Sequence, residues 1–181
     1  MQTFILSAIG EDRPGLVSSL ATAVDEHGGH WVDSQLALLA GQFAGVVVVE
    51  IPAERADAFR QALPALSREV GLQVEARPAE GTGEASDDVA PRTGSGTAWS
   101  LHLLGQDRPG MVREVATALT TRGATIETLH SRRREAPEGG GMLFEAEAAL
   151  RLDAADEPAV REALEAIAAD LMVDIDLQDA D

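Results

Sequence analysis

The sequence predicts an α+β protein built from two consecutive βαββαβ plaits, each an antiparallel sheet with its helices on one face. Three observations carry this. The phrase GEDRPGLV at residues 10–17 returns as GQDRPGMV at 105–112, 95 positions later. Strand-like alternation and helix-like spacing follow in the same order around each copy. Between the copies, PAEGTGEASDDVAPRTGSGT (78–97) is polar, rich in Gly and Pro and without pattern, as a linker would be. Residues 1–77 are therefore read as one domain, 78–97 as a flexible linker, and 98–181 as a second domain.

Each element has its counterpart. TFILSAI (3–9) and AWSLHLL (98–104) alternate and are rich in strand formers. Phe4, Leu6 and Ala8 match Trp99, Leu101 and Leu103. After the repeated phrase, Leu16, Val17, Leu20, Ala21 and Val24 recur at helical spacing, as do Met111, Val112, Val115, Ala116 and Leu119. Gly28 and Gly123 stand where a left-handed residue ends a helix. GQFAGVVVVEIP and GMLFEAEAALRL then align through Phe43 and Phe144, 101 apart, which puts six additional residues around the EAPEGGG connection of the second copy. Second helices are predicted over about 53–69 and 155–170, and closing strands over 72–76 and 172–177. Short connections and right-handed crossovers make this order the ferredoxin-like plait.

Strand alternation separates the two faces of each sheet. If Phe43, Gly45, Val47, Val49 and Ile51 face the helices, then Ala44, Val46 and Val48 face outward, with Ile5 beside them. The matching outward positions of the second copy are Glu145, Glu147 and Ala149, with Ser100 and His102. The first sheet thus presents an apolar outer face, and an exposed valine face on a folded domain meets something. Ile5, Ala44, Val46 and Val48 are candidate interface residues, covered by the other unit or by a second chain, and a homodimer is expected.

Composition limits the chemistry. The chain has 181 residues, 45% of them apolar but only 3% aromatic, so each core should be small and aliphatic. There is no cysteine, which removes disulfides, zinc-thiolate sites and thiol nucleophiles. The N-terminal MQTFILSAIG lacks a basic region and a long apolar run, and no stretch approaches the roughly 20 apolar residues of a membrane span. A soluble cytoplasmic protein is expected. The formal charge is −17 and lysine is absent, so phosphate backbones would be repelled and direct nucleic-acid binding is not expected.

The repeated phrase itself suits a ligand. Gly10 is read as leaving the first strand, Pro14 as opening the helix, Gly15 as allowing close backbone approach, and Asp12 as accepting from first-turn amides. Exposed N–H groups at a positive helix end favour a carboxylate or other small anion. Arg13 and Arg108 add charge there. A well-capped turn that binds nothing is the other reading of the same residues.

Two plaits, each with an Asp-Arg-Pro-Gly turn after its first strand, resemble ACT domains over nearly the whole chain outside the linker. DRPGLV, HGGHWVDSQ and GQFAGVVVVE of the first copy resemble, more narrowly, the glycine cleavage system transcriptional repressor family. The resemblance implies a non-catalytic regulator. ACT domains bind amino acids or other small ligands with the first turn and the start of the second strand. The repressor family acts through a partner transcription factor. The implied ligand-binding residues are Asp12, Arg13, Pro14, Gly15, Leu16 and His30 in the first copy. In the second they are Asp107, Arg108, Pro109, Gly110, Met111 and Thr125. ACT sites often carry Asn where His30 and Thr125 stand. The alternative is an ACT-type interaction module, or a regulatory subunit of an enzyme of amino-acid metabolism, with empty turns.

No catalytic motif appears: there is no G-x-S-x-G and no phosphate-binding loop. His27 and His30 are three apart, but Gly28 and Gly29 break the helix between them, so no metal site is assigned and no cofactor is expected. Asp87 and Asp88 read as solvated linker charges. Arg132, Arg133 and Arg134 could grip an anionic partner or balance nearby glutamates.

Overall fold

The computed structural model describes residues 1–79, 96–137 and 140–180. The first half runs β1 (Gln2–Glu11), α1 (Leu16–Glu26), β2 (His30–Leu39), β3 (Gln42–Ile51), a 3-10 turn (Ala53–Arg55), α2 (Ala56–Glu69) and β4 (Gln73–Pro78). The second runs β5 (Thr97–Gln106), α3 (Met111–Thr120), β6 (Thr125–Glu135), β7 (Met142–Leu152), α4 (Glu157–Leu171) and β8 (Val173–Asp179). Two compact units result. Each holds one four-stranded antiparallel sheet, ordered β2-β3-β1-β4 and β6-β7-β5-β8. This is the expected plait, twice. Most of the linker, including Asp87 and Asp88, lies outside the described residues, and β4 reaches Pro78 at its near edge.

In the first unit, Phe4, Leu6, Val47, Val49 and Ile51 of the sheet meet Leu16, Leu20 and Val24 of α1 and Phe59, Leu63 and Leu66 of α2. The strand phase is the expected one: Val47 and Val49 are fully buried, Val48 between them is half-buried and Val46 is exposed. The helix stripe is narrower than its sequence spacing suggests. Val17 and Val112 are exposed, and Ala23 and Ala118 are buried instead. At 100° per residue, a position next to Leu16 or Met111 turns away from the sheet, whereas one two turns further on, seven residues along, does not.

Gly28 and Gly123 are left-handed (φ 66° and 80°), as expected of helix ends. The hairpins differ in length. Ala40 and Gly41, both at positive φ, form the whole turn between β2 and β3. The second hairpin has strands one residue longer on each side and a connection over 136–141.

The second core is less filled. Val47 has Ala148 as its counterpart, and a small apolar cavity of about 30 Å³ borders Ala148, Leu101, Leu103, Val115 and Leu119. Ala148→Val should therefore stabilise this unit by about 1 kcal/mol, within the usual range for filling a cavity. Thermal denaturation would register this as a rise of several degrees in the midpoint of the second unit. An unchanged or lower midpoint would mean that the surrounding side chains already collapse on the space.

Candidate functional site

The repeated corner is built alike in both units, though not quite as its residue types imply. Gly10 does not leave the strand; it is buried near the end of β1. A Cβ there would lie 2.6 Å from the Gly71 carbonyl oxygen, so the missing side chain lets the lead-in to β4 pack against β1. Gly105 does the same for Val173 at the start of β8. Pro14 does not open the helix. Gly15 and Gly110 are the N-caps, at φ 98° and 97°, and the helices begin at Leu16 and Met111. A left-handed cap swings the chain one residue further before helical geometry starts, which only glycine does without strain.

Asp12 does not cap α1 through its carboxylate, and no side chain caps either α1 or α3. Instead the Asp12 N–H donates to Gly41 O (3.0 Å) and the Asp107 N–H to Met142 O (2.8 Å), tying each turn to its hairpin. The first intrahelical bonds are Ser19 N–H to Gly15 O and Glu114 N–H to Gly110 O. The three preceding amides of each helix thus lack a helical partner, at the positive end of the dipole.

The two corners differ in their charges. Arg13 pairs with Glu11 at 2.8 Å, with both side chains well exposed. Such a pair contributes about 0–1 kcal/mol, so an incoming carboxylate could replace Glu11 at little cost. Beside it an open hollow of about 430 Å³ is lined by Ile9, Glu11, Arg13, Gln42, Gly71 and Gln73. At the second corner Arg133 of β6 reaches Asp107 at 2.5 Å. Leu38 holds the corresponding place in the first unit, so Asp12 has no such bridge. The Arg108 N–H points to Met111 Sδ (3.4 Å).

His30 and Thr125 do not join these corners within one unit. His30 is level with Glu50, and Glu50 with Thr3, whereas Glu11 is level with Gln42. Eight strand residues at about 3.3 Å each put His30 roughly 25 Å from the turn. Thr125, level with Arg151 and Ala98, stands equally far from the second corner. Both connections cross the full length of the sheet, which the chain order alone does not reveal. His27 is turned inward instead: its Nδ1–H donates to Ala23 O at 2.7 Å and its ring meets Phe59 edge-on.

The outer faces of the two sheets also differ. On the first, Ile5, Ile9 and Val46 are exposed, and Ala44 and Val48 are half-buried between them. The second carries an ionic network around Glu145, whose side chain is 13% exposed. Arg132 donates to it at 2.7 Å, Arg134 lies at 3.4 Å and His102 Nε2 at 3.5 Å. The Arg132 hydrogen bond is the main reason that the Glu145 carboxyl is pushed down from 4.5 to about 2; burial opposes it, and His102 and Arg134 assist. A carboxyl whose folded pKa is depressed contributes stability above its unfolded pKa and loses it as pH falls through the folded one. Between pH 4.5 and 2 the second unit should thus lose stability that Glu145→Gln does not lose. Urea midpoints of the two proteins across that interval would converge as the pH drops; parallel curves would count against the network. Sequence reasoning set His102, Glu145 and Glu147 on this face by alternation but did not group them, because their strand register was unknown.

Among the described residues, no helix is long and apolar enough to cross a membrane. The fold and its doubled Gly-capped corner define a tandem of small ferredoxin-like domains. The chain belongs to the ACT-domain family: one ACT domain matches residues 2–77 and a second matches 100–169. An unknown protein from Galdieria sulphuraria is 28% identical, with a TM-score of 0.82 over 99% of both chains. A candidate glycine cleavage system transcriptional repressor shares the fold at a TM-score of 0.70 and 16% identity, over 98% of this chain and 96% of that one. A UPF0237 protein of Methanosarcina mazei is 32% identical over 74 residues, 40% of this chain and 80% of the relative.

Proposed function

We propose that this protein is a non-catalytic regulator that senses a small carboxylate ligand, an amino acid such as glycine, and controls transcription through a protein partner. The observation that carries the reading is the corner, written twice. A left-handed glycine leaves the first-turn amides of α1 and α3 without a side-chain cap, and an arginine follows the aspartate of each turn. Free amides at a helix start recognise a carboxylate, and Arg13 can add a charge-assisted bond. The tandem ACT architecture and the repressor-like fold agree with a regulatory role. The net charge of −17 favours a protein partner, such as a transcription factor, over direct contact with DNA.

His30 and Thr125 enter such a site only from another ACT unit, the other half of this chain or a second copy of it, since each is roughly 25 Å from the corner of its own unit. The exposed apolar strip Ile5, Ala44, Val46 and Val48 supports association of such units, and a homodimer is expected. Calorimetric titration of ligand-free protein with glycine, serine and the remaining amino acids is the direct test. Saturable heat with at least one is expected, together with a dimer in light scattering. Silence with all of them would favour the interaction-module reading, in which Arg13–Glu11 and Arg133–Asp107 simply neutralise the turns.

A further inference from the structure

The four strands of the second sheet align a row of metal-ligating side chains across its outer face. His130 of β6 is level with Glu147 of β7, Glu147 with His102 of β5, and His102 with Asp176 of β8. Glu145 stands two residues along β7 on the same face. One ring nitrogen of His102 and one carboxylate oxygen each of Glu145 and Glu147 lie within 4.8 Å of one another. A hollow of about 150 Å³ lined by His130, Ser131, Arg132, Glu145 and Glu147 opens beside them.

These groups do not satisfy one another. The His102–Glu145 approach of 3.5 Å is too long for a strong hydrogen bond. Glu147 makes no ion pair among the described residues; Arg132 acts on it only at longer range and is hydrogen-bonded to Glu145 instead. Arg132 and Arg134 both reach Oε2 of Glu145, while Oε1 is the atom turned to His102. The arginines therefore hold the carboxylate in place and leave one oxygen for a further positive group.

We propose that His102, Glu145 and Glu147 form a site for a divalent transition-metal ion of the zinc type, with His130 placed on the same face to supply a fourth donor. Imidazole together with carboxylate selects zinc over calcium or magnesium, which take oxygen donors. Donors on a tetrahedral zinc at about 2.1 Å are roughly 3.4 Å apart, so His102 and Glu145 are already near that spacing and the remaining pairs need to close by up to about 1.4 Å. The first unit cannot do this. Ser7, Gln35, Ala44 and Val46 occupy the positions of His102, His130, Glu145 and Glu147, so the whole donor set belongs to the second unit. The site is separate from the corners and does not depend on their having a ligand.

The test is calorimetric titration of the full chain with zinc chloride, after dialysis against a chelator and its removal. One ion per chain is expected. His102→Ala and Glu147→Gln should each weaken binding at least tenfold, while Glu162→Gln, the same charge change on the exposed face of α4, should not. Cobalt(II) substituted for zinc should give the intense visible bands of a four-coordinate site in the parent and lose them in His102→Ala. Both target side chains are on the surface, and circular dichroism would confirm that the variants fold; His102→Gln replaces His102→Ala if it does not. Absence of binding, binding undiminished in both His102→Ala and Glu147→Gln, or equal loss in Glu162→Gln would overturn the proposal.

Discussion

Gly10→Ala is expected to destabilise the first unit by about 2–3 kcal/mol, the upper part of the range of about 1–3 kcal/mol for forcing an extra group into a packed core. The new Cβ would sit 2.6 Å from the Gly71 carbonyl oxygen and 3.3 Å from Leu72 Cα. All of its near neighbours are backbone, so no side chain can rotate away. The lead-in to β4 would have to separate from β1. Gly105→Ala meets a different obstacle, Val173 Cγ1 at 2.2 Å and Cβ at 2.7 Å. Part of that clash is side chain, so Val173→Ala should offset some of it. A double-mutant cycle between positions 105 and 173 should then give a favourable coupling of about 1 kcal/mol, inside the range seen for residues in contact. Urea denaturation of the four proteins would measure it. A Gly10→Ala protein as stable as its parent would show that β4 moves freely, and the close packing at the corner would lose its importance.

Arg13→Ala should lower the affinity for the amino-acid ligand at least tenfold. Loss of a hydrogen bond to a charged group costs about 1.5–3 kcal/mol, and 1.4 kcal/mol is a factor of ten. The fold should be unaffected, because the pair that Arg13 makes with Glu11 is exposed. Arg108→Ala should cost less than threefold. The second corner is tied to its hairpin by Asp107 and Arg133, and Arg133 keeps a cation there. Titrating both variants with the amino acid that binds the parent separates the corners. Equal losses would make them equivalent sites; no loss in either would remove the arginines from the site.

Much of this architecture was legible in the residues because it rests on local rules. Alternation in QFAGVVVVEI set which valines are buried, and that pattern needs no knowledge of the neighbouring strand. Gly28 and Gly123 announced helix ends through their own backbone freedom. The corner was harder. Pro14 has the right chemistry to open a helix and Asp12 to cap one, yet Gly15 takes the cap with a left-handed turn and displaces both. Gly10 reads locally as a strand terminator, but its role comes from Gly71, sixty-one positions away in the chain.

The doubled plait, the order of its elements and the outward phase of its strands thus follow from periodicity and from residues with restricted or unusual backbones. The sites do not. His30 and Asp12 look like neighbours flanking one helix, but that helix crosses the length of the sheet and holds them at opposite ends. His102, Glu145 and Glu147 look unrelated, but β5 lies beside β7, and its register sets them together. Sequence spacing measures distance along the chain, whereas binding chemistry depends on distance across hydrogen-bonded strands, and only the folded sheet converts one into the other.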